Sequence, residues 1–231
     1  MADRASGIPI VREGVPFIVV GGALTALAVS LGWIVVASIL GVATLFTAWF
    51  FRNPRRTCPD RPGTVVAPGD GRVVAIDQEF EPRYLKEGSI RISIFLNVFN
   101  VHVNRIPCEG VVEDIAYRPG QFLAANRSEA TLRNEQNAVM IRTPHGNKVM
   151  CVQVAGLIAR RIVCWVSPGE SVTCGERFGL IRFGSRMDTF LPSNTKVSVA
   201  VGDSVKGGQT ILGELVRPDL PGMEASCAQL S

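Results

Sequence analysis

The sequence predicts a mostly β domain behind a pair of apolar helices, and three observations predict it. An uncharged run near the N-terminus is too long for one membrane helix. The pattern then changes to short β-branched runs separated by Gly, Pro, Asn and Asp. Within that second part a hairpin pattern recurs, in which Gly and Asp supply tight turns and the flanking β-branched residues supply a core.

The uncharged run extends from Gly14 to Phe51, 38 residues. As one helix it would rise about 57 Å, against a hydrocarbon core of about 30 Å. Two spans fit better, with a turn near Ser30-Leu31-Gly32-Trp33 and a helix start at Val15-Pro16, where proline is tolerated. Trp33 and Trp49 then fall at opposite interfaces. A hairpin returns both ends to one side, and Arg12, Arg52, Arg55 and Arg56 mark that side as cytoplasmic by the positive-inside rule. The run is too long and starts too late for a cleaved signal peptide, and no A-x-A site ends it. The expected organisation is a tail (1–13), a membrane hairpin (14–51), a Pro-rich linker (52–63) and a β domain (64–231).

Composition excludes several classes. The net charge is +4 in 231 residues, and all of it lies after residue 51. That is too little, without an aromatic-plus-basic stripe, for nucleic acid, but it suits a domain resting on anionic head groups. The six cysteines form no CxxC pair and only two histidines accompany them, so no metal site is expected. Scattered in strand-like contexts, the cysteines look like small buried hydrophobes in a reducing compartment.

Across the β domain, "TVVAPGDGRVVAIDQ" reads as strand, turn, strand, and "SIRISIFLNVFNVHVNRIP" alternates. "QFLAANRSEATLRNEQ" has the weakest β signal and is expected to be a loop or short helix. "VVAPGDGRVVAI", "VAVGDSVKGGQTILGEL" and "VSPGESVTCGERFGLI" are similar units, and the second is similar to the hairpins of biotinyl- and lipoyl-like barrel-sandwich folds. No lysine sits at a turn tip to accept biotin or lipoate.

The stretch "RFGSRMDTF" places Gly184-Ser185 inside a strand-like run. The pair is either a turn or bulge, or a site of chemistry. A serine hydroxyl can attack the preceding carbonyl, turning the peptide bond into an ester. β-Elimination and hydrolysis then leave a pyruvoyl group. Glycine before the serine leaves the approach open, and the reaction needs a base. Asp70 in "PGDG" is either a turn aspartate or an acid partner. His102 in "NVHVN" is a core histidine or a base. "NEQN", Asn134 to Asn137, is a polar loop or a pocket wall. Asp188 either pairs with Arg186 or Arg182 or lies on a solvated face. His145 reads as a turn residue.

"FGSRMDTFLP", "APGDGRV", "FNVHVNRIP" and "NEQN", in the chain behind an apolar N-terminus, together resemble the short form of phosphatidylserine decarboxylase, over residues 45–216. Archaetidylserine decarboxylase, with the same chemistry, is close kin. The resemblance implies self-cleavage between Gly184 and Ser185 into a β chain (1–184) and an α chain (185–231), which stay together as a heterodimer, alone or in a higher oligomer. It implies a covalent pyruvoyl group made from Ser185, with no metal and no PLP, and decarboxylation of phosphatidylserine to phosphatidylethanolamine. Ser185, His102 and Asp70 match the family's catalytic positions. Longer bacterial enzymes carry a second histidine where this chain has Arg105, which leaves open which step His102 serves. Arg105, Arg182, Arg186, Asn134 and Asn137 are candidates for holding the phospholipid's charged groups. A different class, a non-enzymatic membrane-anchored barrel-sandwich adaptor, would need a long helical hairpin in the sandwich, and no heptad run supplies one.

Overall fold

The structure is a computed structural model that describes residues 9–120, 134–156, 162–181 and 185–216. The weak β segment expected to be a loop or short helix lies mostly outside them.

The apolar run folds as two helices, α1 (Val15–Ser30) and α2 (Ile34–Phe50). Pro16 sits in the first turn of α1, and Gly32 makes the connection at φ +72°, a conformation open to glycine. At 1.5 Å per residue the helices are about 24 and 26 Å long. The stretch Arg12–Ser30, 19 residues, is long and apolar enough to cross a membrane, and Ile34–Phe50 is a shorter apolar helix. They meet through small residues. A Cβ on Gly21 would lie 2.4 Å from Thr44 Oγ1, and one on Gly41 would lie 3.7 Å from Thr25 Cγ2. Both threonine hydroxyls bond carbonyls of their own helices. The outer surfaces, with Val19, Val35, Val42 and Leu45, are bare.

The base of this pair is fastened to the β domain. Val11, Phe50 and Phe51 pack with Val101, Val103 and Leu180. Trp165 Nε1 donates to Glu13 Oε1 at 2.9 Å. Arg52 lies over the Trp49 ring, 4.1 Å from its centroid, and donates to the Phe99 carbonyl.

The β domain is antiparallel throughout its described strands, numbered here in chain order. Its largest sheet runs Ser204–Val205 (β13), Gly71–Glu81 (β2), Glu87–Leu96 (β3), Ser185–Pro192 (β11), Lys148–Val154 (β7), Gln136–Arg142 (β6), Gly110–Arg118 (β5), Ser171–Val172 (β9). Two small sheets complete it. In one, Ile211–Glu214 (β14) lies between Thr64–Val66 (β1) and Lys196–Val197 (β12). In the other, Arg177–Ile181 (β10) lies between Val103–Arg105 (β4) and Ile162–Cys164 (β8).

This order is that of an internal two-fold. β13-β2-β3-β11 mirrors β9-β5-β6-β7, and β1-β14-β12 mirrors β4-β10-β8. The backbone bonds repeat in pairs. Val66 N donates to Pro107 O and Arg105 N to Pro68 O, both at 2.8 Å; Gly208 N donates to Ala67 O and Gly175 N to Ile106 O, both at 2.8 Å. Gly175 and Gly208 abut, each at positive φ. The likeness of "GDSVKGG" to "GESVTCG" is therefore a symmetry of the fold. The mate of "APGDG" is "IPCEG", which sequence comparison misses because only Pro and Gly are shared.

The main core lies on one face of the large sheet, with Ile92, Ile94, Leu96, Val139, Ile141, Cys151, Met187 and Leu191. A smaller cluster, including Met150, Val152, Val154 and Phe190, covers part of the other face. β11, in the middle, is buried on both faces, and its two charged residues, Arg186 and Asp188, pair with each other there.

The expectation about cysteines needs correction. Cys108 and Cys151 are buried thiols, and burial pushes Cys108 up to about 12 and Cys151 higher still. They behave as small hydrophobes. Cys58 and Cys174, however, form a disulfide that ties the linker to the turn before β10. Two half-exposed contexts far apart in sequence had given no hint of the pairing, and cysteine usage no longer argues for a reducing compartment.

The close approaches of glycine predict unequal costs. A Cβ on Gly110 would lie 2.3 Å from the Arg142 carbonyl, whereas one on Gly88 meets open space. Gly110→Ala is expected to lose about 1–3 kcal/mol in a thermal or denaturant melt, and Gly88→Ala to leave the midpoint in place.

Candidate active site

The turn between β1 and β2 presents Asp70, which is buried. Its Oδ1 accepts from Gly207 N at 2.8 Å, its Oδ2 accepts from Arg56 Nη2 at 2.7 Å, and Arg56 Nη1 completes a two-pronged ion pair with Oδ1. Arg56 Nη1 also donates to the Gly207 carbonyl at 2.6 Å. Asp70 is thus more than a turn residue. Asp203 shows the contrast: its carboxylate accepts from Ala200 N inside its own exposed turn. Arg56 was legible only as linker charge, because the pairing joins a residue in an irregular linker to a turn 14 positions on.

His102 lies between β3 and β4. Two asparagines shape the approach to it: Asn97 N donates to Asn100 Oδ1 and Phe99 N to Asn97 Oδ1, both at 2.9 Å. The imidazole is buried, and the Phe50 ring from the base of α2 lies 4.2 Å from it, centroid to centroid. Nδ1 is 3.0 Å from the Asn100 carbonyl, which can only accept, so Nδ1 carries the proton. Nε2 is buried with no hydrogen-bond partner among the described residues. Burial lowers the pKa to about 4, with Arg52 acting in the same direction and the Asn100 bond and Asp70 opposing. At neutral pH the ring is therefore uncharged, with a bare Nε2.

Ser185 opens β11 opposite Leu96. It is fully buried, and its Oγ has no hydrogen-bond partner among the described residues. Met187 lies on the same face of the strand. Gly69 closes the space beside them: a Cβ there would lie 3.2 Å from Leu96 Cδ2, 3.4 Å from Met187 Cγ and 3.6 Å from Asn104 Nδ2. Further along, Ile181 N approaches the His102 carbonyl at 3.4 Å. The "PGDG", "NVHVN" and "GSRMD" segments, distant in sequence, thus meet around Gly69. Gly184 and Arg182 lie outside the described residues.

The remaining candidates divide. Arg186 pairs with Asp188 (Nε–Oδ1 2.8 Å), as one of the sequence alternatives had it, but on the face of β11 away from Ser185. Arg105 donates to the carbonyls of Gly175 and Pro54, at 2.8 and 2.7 Å, joining loop to linker. Burial, with Arg56 and Arg177 nearby, pushes its guanidinium down to about 10. Asn134 Nδ2 donates to the Ala155 carbonyl at 2.7 Å. Asn137 Nδ2 donates to Gln153 Oε1 at 2.9 Å, on the Ser185 face of the sheet. Gln153 and Asn104 escaped sequence reasoning, because an amide in a strand carries no motif.

The family model for phosphatidylserine decarboxylase matches residues 43–213. The chain belongs to the phosphatidylserine decarboxylase family. Among its relatives is a phosphatidylserine decarboxylase proenzyme of Syntrophus aciditrophicus, 51% identical over 207 residues, covering 88% of this chain and 96% of that one. Proenzymes of the same name from Desulfotalea psychrophila (46% identical; 90% and 98% covered) and Geotalea uraniireducens (47%; 92% and 99%) are similar over nearly their whole lengths. In this member of the phosphatidylserine decarboxylase family, Leu96, Met187 and Asn104 come together around Gly69.

Two outcomes are expected from this geometry. With only His102 and His145 in the chain, the imidazole signals are simple to follow by NMR. His102 should titrate near pH 4, and Phe50→Ala, which admits water and so favours the charged ring, should raise that value toward the ordinary 6.5. Arg56→Ala leaves Asp70 buried without its counter-charge and should cost about 3 kcal/mol of stability or more. Arg56→Lys, which cannot make the two-pronged contact, should recover only part.

Proposed function

We propose that the chain is a zymogen that cuts itself between Gly184 and Ser185, and that the processed protein decarboxylates phosphatidylserine to phosphatidylethanolamine. The observation that carries this beyond family membership is Ser185 Oγ: buried, without a hydrogen-bond partner among the described residues, at the head of a central strand.

The residues suit a pyruvoyl group made from Ser185. The pocket beside it is walled by Leu96 and Met187 and floored by Gly69, where no Cβ intrudes. Once formed, the group supplies a ketone for the substrate amine and an electron sink for the bond to the carboxylate. The chain's own residues do the rest. His102, neutral with Nε2 bare, is the base that takes and returns protons at Ser185. Asp70, fixed by Arg56 and the Gly207 amide, sets the local negative charge against the surrounding arginines. Phe50 keeps bulk water from the imidazole.

The two pieces, 1–184 and 185–231, would remain one protein. β11 lies between β3 and β7 and pairs with β3 from Ser185 to Pro192, and β12 and β14 enter the sheet with β1. Residues 14–51 would anchor the protein, 52–63 link, and 64–231 form the catalytic domain on the cytoplasmic face of the cell membrane. Because the base of α2 touches His102 directly, a phospholipid head group needs to travel little from the bilayer to the base.

Intact mass under denaturing conditions tests this. Wild type should give two chains split between Gly184 and Ser185, the smaller with a pyruvoyl N-terminus, and convert phosphatidylserine in mixed micelles. Ser185→Ala should stay whole and inactive. A wild-type chain that remains full length in its native host would sink the proposal.

A further inference from the structure

The turn between β3 and β4 carries an exposed aromatic at its tip, where the β domain meets the helical pair. Phe99 is 67% exposed. The turn closes without the ring: Asn100 N donates to the Asn97 carbonyl at 3.0 Å, and the two asparagine side chains accept from Asn97 N and Phe99 N. A lone exposed aromatic calls for no explanation, but this ring is not alone. It meets the Phe46 ring of α2 edge-on, 6.4 Å between centroids. Val35, Ile39, Val42 and Phe46 follow one another at helical spacing, so they share a face of α2, and all four are exposed. Phe99 extends that apolar stripe onto the β domain.

Arg52 sets the level of the turn. Its guanidinium lies over the Trp49 ring, 4.1 Å from the centroid, and donates to the carbonyls of Trp49 at 2.9 Å and Phe99 at 2.7 Å. Tryptophan and the charged end of arginine settle at the membrane–water interface. The Phe99 backbone is held at that level, while its ring reaches Phe46, about 4.5 Å along α2 from Trp49 on the side away from Arg52. The segment is suited to leaving water, because the amides of Asn97, Phe99 and Asn100 and the Phe99 carbonyl already have partners.

We infer that the 97–100 turn is a second membrane-contacting element, with the Phe99 side chain inserted among lipid acyl chains beside α2. This rests on the anchoring by residues 14–51 proposed above. The consequence reaches the candidate base: the Asn100 carbonyl accepts from His102 Nδ1 at 3.0 Å, so the turn that meets lipid also holds the imidazole.

The test uses the full chain in vesicles of phosphatidylcholine and phosphatidylglycerol, with the photoreactive residue p-benzoylphenylalanine placed at one position at a time. Position 45, bare on α2, reports the anchor. Position 80 is the control: Phe80 is 64% exposed and pairs with Gly88, about 30 Å along β3 from Asn97. After illumination, the mass of the chain that carries the probe should rise by one phospholipid at positions 45 and 99, and stay unchanged at 80. An adduct at 45 without one at 99 overturns the inference and leaves the anchor standing, as does a yield at 80 equal to that at 99. A crosslink from 99 to a second copy of the chain, in place of lipid, also overturns it, because the turn is then a contact between copies. No adduct at 45 overturns the anchor, and the inference with it. The native chain covers the case in which the probe disturbs the turn. In nanodiscs holding one copy each, hydroxyl radicals should oxidise Phe80 and spare Phe99, and equal oxidation of the two overturns the inference.

Discussion

The Asp70 carboxylate ties together three parts of the chain. It receives Arg56 from the linker below the helical pair, sits in the β1–β2 turn, and receives the Gly207 amide from the turn that leads to β14. Gly207 packs against Gly69 so closely that a Cβ there would lie 2.9 Å from the Gly69 Cα. The ion pair is buried, and taking charges out of water is recovered only when each is matched. Arg56 and Gly69–Asp70 precede the proposed cut and Gly207 follows it. The same contact therefore holds the site's floor in place and spans the two pieces.

The second constraint is where the helical pair lands. Phe50 and Phe51 close a small apolar cluster with Val101, Val103 and Leu180, and Phe50 lies against His102. The proposed anchoring and the proposed acid–base chemistry thus share a side chain. The burial that docks the helices is the burial that keeps the imidazole neutral. The Asn97 and Asn100 turn holds the histidine's approach from the other side.

The internal two-fold makes the site's one-sidedness informative. Each half supplies a turn with a Pro, an acidic residue and a Gly, at Asp70 and at Glu109. Among the described residues, only the Asp70 half has a buried ion pair with an arginine on its carboxylate and a serine heading the neighbouring central strand. The main core and the smaller cluster on the other face of the sheet together bury β11 on both faces. The Ser185 side of that core also holds polar groups, and Asn104, Gln153 and Asn137 are joined there by hydrogen bonds.

How much of this was legible in the sequence follows from what kind of signal each feature leaves. The helical pair, its turn at Gly32, the mostly β character and the recurring hairpins were determined by local periodicity and turn chemistry, which act over a few residues. Ser185, His102 and Asp70 were legible as motifs, and the resemblance they carried is supported by the family match. What only the tertiary structure decided are relations between residues remote in the chain. Arg56 became the partner of Asp70, Cys58 met Cys174, and Arg105 and Arg186 were drawn into internal contacts on their own sides. Asn104 was turned toward Gly69 by its bond with Gln153, which a carbonyl on another strand orients. Buried ions and amides find partners by burial itself, because an unmatched polar group in the core is costly. That requirement is met in space, and it leaves no spacing along the sequence from which the partner can be read.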